Sequence, residues 1–157
     1  VDQNSLLSRV FELAEEAGSH GDHPFGALLA VDGEIVAETH NRVNTNHDLT
    51  AHAETRLVQV LEQKNLLGKL SLGTVYASCE PCPMCVGAMF WAGARLVVYG
   101  LSHDRLSELA TPPGTDPVGF TISAAEIGER TAPPMVFSGP HREDEAAQPH
   151  LGFWANS

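Results

Sequence analysis

His52-Ala53-Glu54 and, further along the chain, Glu80-Pro81-Cys82-Pro83-Met84-Cys85 are the two stretches of this 157-residue sequence best equipped for chemistry. One imidazole and two thiols make three good ligands for Zn2+, and a carboxylate lies two positions from the first of them. Structural zinc sites close their tetrahedron with four protein ligands, whereas catalytic sites use three and keep the fourth position for water or substrate. His52, Cys82 and Cys85 are therefore read as an open zinc site. Cys82 and Cys85 are three apart, so at the start of a helix they face one side, where the helix dipole and the metal both favour thiolate over thiol. Water at the open position of such a site ionises with a pKa of about 7. With three ligands assigned, Glu54 is better employed moving protons beside that water than closing the site.

Residues two apart on a regular helix point to nearly opposite sides, so His52 and Glu54 are expected at an irregular helix start. There the Ala53 N–H is unpaired and available to a substrate carbonyl. His20-Gly21-Asp22-His23 is read as a solvated loop cluster rather than a second metal site. Cys79 is read as a small buried residue beneath the metal, and Met89 and Trp91 as core or interface.

These groups must be positioned by the elements around them. Leu6, Leu7, Val10, Phe11, Ala14 and Ala17 recur at helical spacing over 5–17, with Gly18 as a stop. Residues 25–31 and 34–39 are apolar runs separated by Asp32-Gly33, which predicts an antiparallel hairpin. A helix is expected over 50–66, with Thr50 as its cap. A strand over 73–78, a metal-binding turn, a helix over 83–91 ended by Gly93 and a strand over 95–99 form a βαβ unit. Parallel strands with the site at their carboxyl ends follow. Beyond Leu101 the pattern weakens: helices over 103–110 and 122–129, a Pro/Gly turn region over 111–117, and a last strand over 135–138. The stretch 139–149 is acidic, lacks apolar periodicity and is read as mobile.

The length fits one domain, 1–157, in which 139–157 is a C-terminal segment that closes the site or swaps between subunits. Residues 1–9 carry no basic region followed by an apolar run, and no stretch has membrane-spanning length, which predicts a cytoplasmic protein with no membrane partner. Nine Lys plus Arg against twenty Asp plus Glu give a charge of −11. With no Lys/Arg run, that argues against nucleic acid as a partner and for a small, uncharged substrate.

H-x-E followed by P-C-x-x-C is the known signature of zinc nucleobase deaminases, and at these residues the chain resembles the zinc-dependent cytidine deaminase superfamily. His23-Pro24-Phe25-Gly26-Ala27, Asn41, Asp48 to Glu54 and, above all, the run Ser78 to Ala92 are similar to its bacterial guanine deaminase branch. The resemblance is good over roughly 20–101. It implies an α/β fold, a three-layer α/β/α sandwich around a mixed five-stranded sheet, and hydrolytic deamination of a free nucleobase or analogue. It further implies Zn2+ as cofactor, a homodimer, Asn41 and the Ala53 amide as readers of the base, Phe25 as an apolar wall, and Phe153-Trp154 as an aromatic closing segment. The guanine enzymes also use a second carboxylate from the C-terminal third. Their G-F-D-D stretch is missing here, its neighbourhood being Ala110 to Asp116, which leaves Glu143, Asp144 and Asp116 as replacements, Glu143 first. Guanine, cytosine, isoguanine, azacytosine and aminotriazines all stay open as substrates. A tRNA adenosine deaminase, a nucleoside or nucleotide deaminase and a silent zinc-binding module are the alternatives.

Overall fold

Alternation along the strands decides the architecture. In β1 (Gly26–Val31), Ala27 and Leu29 face one apolar cluster while Leu28 and Ala30 face another, and in β3 (Thr74–Cys79) Val75 and Tyr76 divide in the same way. A sheet apolar on both faces must be covered on both. The computed structural model, which describes residues 1–156, shows five strands in the order β2-β1-β3-β4-β5, with β2 (Glu34–His40), β4 (Leu96–Leu101) and β5 (Val136–Ser138) completing the set. Pairing is antiparallel across β2-β1-β3 and parallel across β3-β4-β5. The expected mixed five-stranded α/β sandwich is what the chain forms.

Helix α1 (Gln3–Ser19) covers one face, burying Leu6, Leu7, Val10 and Phe11 against Leu28, Tyr76 and Val98. Asp2 caps it by accepting from the Ser5 amide. Helices α3 (Ala53–Gln63) and α4 (Pro83–Ala92) cover the other face through Leu57, Leu61, Val86 and Met89. Between β2 and α3 lies the single turn α2 (Val43–Asn46), which the sequence pattern did not suggest. Helices α5 (His103–Ala110), α6 (Ala124–Gly128) and α7 (Glu143–Ala147) follow.

Two expectations need correction. Thr50 does not cap α3: its amide and hydroxyl both bond the Asp48 carboxylate in a local turn, and the helix begins three residues later with His52 at the N-cap. Nor is 139–149 loose. Helix α7 buries Ala146 and Ala147 on the α1 side of the sheet, and Arg142 bonds the Asn4 carbonyl, the Ser8 hydroxyl and Glu145. Two small alanines give a close contact but no apolar stripe for periodicity to register. Ser157, the last residue of the proposed closing segment, lies outside the described residues.

The approach of α1 to β1 is so close that a Cβ on Gly26 would stand 2.6 Å from both the Leu13 Cβ and the Val10 carbonyl oxygen. Gly26→Ala is expected to lower stability by about 1–3 kcal/mol through this overpacking, measured as a lower urea midpoint at unchanged slope.

Candidate active site

Two helix N-termini meet beyond the carboxyl end of β3. His52 is the N-cap of α3 and Cys82 the N-cap of α4; both backbones are extended, at φ −70°, ψ 161° and φ −72°, ψ 165°. Pro83 suits the first position of α4, where its missing N–H is no loss. Cys85 then falls on the inner side of the first turn and is fully buried. The start of α3 is tied to the sheet by the Thr39 hydroxyl, which donates to the Ala53 carbonyl at 2.7 Å.

The ligand atoms of His52, Cys82 and Cys85 all lie within 4.8 Å of one another. His52 Nδ1 is 3.7 Å from Cys82 Sγ and 3.5 Å from Cys85 Sγ. Bonds of about 2.3 Å to sulfur and 2.0–2.1 Å to nitrogen in a tetrahedron separate the two donors by about 3.6 Å, so the spacing fits zinc. The electrostatics ask for a cation as well. The hydrogen bond from Cys85 holds the Cys82 thiol down at about 4, while that same bond and burial push Cys85 up. Burial also raises Glu54, and the contact with Cys82 raises His52. The group as it stands tolerates one anion and favours positive charge; a divalent ion allows both thiols to ionise.

Glu54 is 5% exposed and hydrogen-bonds with Cys85, which puts its carboxylate against the ligand group. Because His52 is an extended cap and Glu54 the second helical residue, the two converge despite their spacing, as the irregular helix start requires. The Ala53 N–H, in the first turn, has no intrahelical partner. Asn41 is 1% exposed; its amide donates to the Phe25 carbonyl and its Oδ1 accepts from the Val43 amide, which leaves the Nδ2 group as its donor. The Val43 amide at the start of α2 thus fixes the Asn41 side chain.

Phe25, Phe153 and Trp154 come together with two histidines. Ring centroids are 6.3 Å apart for Phe25 and Trp154, 5.2 Å for His23 and Trp154, and 6.2 Å for His23 and Phe153. Burial and the charge on nearby His52 both depress His23. The aromatic group thus borders the ligand group. Asp22 is not solvated: it is 1% exposed and accepts from the Thr45 amide at 2.8 Å and hydroxyl at 2.6 Å, tying the 20–23 loop to α2. Cys79 is buried and is not one of the clustered ligands, and burial raises its thiol.

None of the three C-terminal carboxylates is among the clustered ligands. Glu143 Oε2 accepts from the Ser102 amide at 2.9 Å, beyond the end of β4. Asp144 pairs with Arg105 at the surface, and Asp116 is exposed. Sequence reasoning missed Glu80 and His150. Glu80, in the metal-binding turn, accepts from the His103 amide at 3.1 Å and the Ala124 amide at 2.9 Å, clipping the turn to the starts of α5 and α6. Its position directly before Pro81-Cys82 was a usable signal. His150 is buried and its Nδ1 accepts from the Trp154 indole N–H across the turn 151–153, which no helical spacing marks.

Purified protein is expected to carry about one zinc ion per chain, and Cys85→Ala to carry a small fraction of that. Metal analysis after dialysis reads both; full zinc retention by Cys85→Ala would remove it from the ligand set.

Residues 1–101 match the family model for the cytidine and deoxycytidylate deaminase zinc-binding region. A probable cytosine deaminase of Schizosaccharomyces pombe is 36% identical over 151 residues, covering 96% of this chain and 91% of the relative. The guanine deaminase of Bacillus subtilis is 40% identical over 111 residues, 69% of this chain and 70% of that protein. A tRNA-specific adenosine deaminase of the same organism is 39% identical over 96 residues, 60% and 58%. A solved guanine deaminase from Nitrosomonas europaea shares the fold with TM-score 0.79 at 22% identity, covering 99% of this chain and 86% of its own. With the ligand group and its spacing, these likenesses make the chain a member of the zinc-binding cytidine and deoxycytidylate deaminase family.

Proposed function

We propose that this protein hydrolytically deaminates a free nucleobase or close heterocyclic analogue, releasing ammonia. The observation that carries the reading is the buried Glu54 carboxylate beside a three-ligand group that is bordered by aromatic rings. His52, Cys82 and Cys85 hold the zinc, which supplies Lewis acidity and an activated water when bound. Glu54 moves the protons: one from water to the ring nitrogen of the cyclic amidine, making its carbon open to attack, and one to the departing amine. The ring C–NH2 bond is exchanged for C=O, and ammonia leaves. The Ala53 N–H and Asn41 Nδ2 donate to acceptors on the ring edge, and Phe25, Phe153 and Trp154 enclose its faces.

Cytosine leads guanine as substrate because the likeness to the probable cytosine deaminase runs through nearly the whole chain, the C-terminal third included. The charge of −11 opposes the tRNA reading, since polynucleotide binding rests on cationic contacts to phosphate. Ammonia release from cytosine, guanine, isoguanine, azacytosine, ammeline, their nucleosides and tRNA decides between these. Turnover of a free base is expected, with Glu54→Gln slower by about 10²-fold or more while it keeps its zinc. Turnover of tRNA alone would replace the reading. Glu143→Gln on the same substrate decides whether that carboxylate takes part: full turnover leaves it a purely structural acceptor.

The reading includes a homodimer. Met84, Gly87, Ala88 and Trp91 line one side of α4 at helical spacing, and Trp91 is 85% exposed. A strip of small residues flanked by two large apolar ones suits close packing against its own copy. Sedimentation should give a dimer, converted to monomer by Trp91→Asp; an unchanged sedimentation coefficient in that variant would remove α4 from the interface.

A further inference from the structure

His150 is a buried polar side chain that the reaction described above does not use. It is 1% exposed and ends the 3-10 turn Gln148–His150, which packs against α1, α5 and α7. Its Nδ1 accepts from the Trp154 indole N–H at 3.1 Å. That bond requires a lone pair on Nδ1, so the proton of the neutral ring sits on Nε2, where it meets no hydrogen-bond partner among the described residues. Burial holds the imidazole down at about 4, so it stays neutral near pH 7.

A buried donor without a partner is destabilising, and an apolar side chain of similar volume would avoid it. Packing alone therefore does not account for an imidazole here. Its one visible polar task is to hold Trp154. The two rings are nearly parallel, 13° apart with centroids at 6.2 Å, and Phe25 meets the edge of the imidazole at 5.2 Å. Gly152, at φ 76°, makes the turn that brings the indole back onto the ring four residues earlier. Trp154 also meets His23, at 5.2 Å between centroids, and His23 feels the charge of the zinc ligand His52. The indole thus bridges the latch and the border of the ligand group.

We propose that His150 is a positioning residue whose Nδ1 latches Trp154, and with it the closing segment, over the metal site, so that it sets how tightly a bound heterocycle is enclosed. What is enclosed rests on the nucleobase reading; the latch itself does not. A closing element whose indole is fixed through a neutral side-chain hydrogen bond can open by breaking a bond of modest net strength, which suits a segment that must admit substrate and release product.

The zinc-loaded, 15N-labelled chain has two tryptophans, so its two indole N–H signals are assignable with Trp91→Phe. His150→Leu is expected to shift the Trp154 signal upfield and speed its solvent exchange about tenfold, the equivalent of one lost hydrogen bond. On the best substrate KM should rise about tenfold with kcat within about twofold. His150→Asn places Oδ1 where Nδ1 stood and should restore both readouts; His150→Gln, which reproduces only the far nitrogen, should not. An unchanged Trp154 signal and exchange rate in His150→Leu would overturn the latch, as would failure of His150→Asn to restore them. If His150→Leu does not fold, Trp154→Phe removes the donor from the other side; the same KM rise is expected, and its absence overturns the proposal. Should no base be turned over, indole exchange still decides the latch while the nucleobase reading fails by itself.

Discussion

Two helix caps that serve as ligands are the constraint on which the structure depends. At an ordinary helix start a Ser, Thr or Asp side chain turns back to the first-turn amides. His52 and Cys82 occupy that position with the usual extended backbone, but neither makes a capping hydrogen bond, and both side chains turn instead toward each other. The two helices are thus joined at their positive ends through a group that collects anionic sulfur, and the dipoles favour it from both sides. Everything nearby follows from the shared geometry. Glu54 is the second residue of α3 and Cys85 the third of α4, so both reach the shared group, and the first turn of α3 has no side-chain cap.

Holding those two caps within one bond length of a common point is the work of the sheet. The parallel pair β3-β4 delivers the α4 turn at its carboxyl end, while the antiparallel pair β1-β2 returns the chain to present Asn41 and, after α2, His52. Polar side chains then pin each segment: Thr39 the start of α3, Asp22 the α2 turn, Glu80 the α4 turn. Glu80 is the most connected of these, since its two oxygens tie the metal turn to α5 and α6. Through it, elements that carry no ligand are fastened to the centre. A substitution in the loops before α5 or α6 is thereby coupled to the zinc turn without touching it.

How much of this the sequence disclosed depended on the kind of interaction involved. Strands and large amphipathic helices were legible because Leu28/Leu29 or Leu57/Leu61 leave a period in the chain, and the ligand group was legible because its residue types have few other uses together. Helix α2 and the Thr50 turn were not, since each is held by one or two Asx or backbone bonds that composition does not mark. Helix α7 escaped because its buried side is Ala146 and Ala147, too small to stand out from an acidic background. Glu80 and His150 share a different reason. Their roles lie in bonds to residues that are distant along the chain or hidden by a local turn, and a lone Glu or His in sequence has many bland explanations.

The ligand group and the aromatic group are consequently drawn from different parts of the chain. The reacting centre is assembled from β-strand ends and helix starts within 1–101, the portion that matches the family model. The rings that border it come from His23-Pro24-Phe25 on one side and from 150–154 on the other, where the Trp154 indole, past a turn at Gly152, is bonded to His150. Among the described residues none of the clustered ligands comes from 139–156, so this segment can differ in length and ring composition while the ligand set stays the same. That is a physical reason for relatives with one zinc centre to act on bases as different in size as cytosine and guanine. In this chain, Phe25 and Trp154 both lean on His150, apart from the residues that hold the metal.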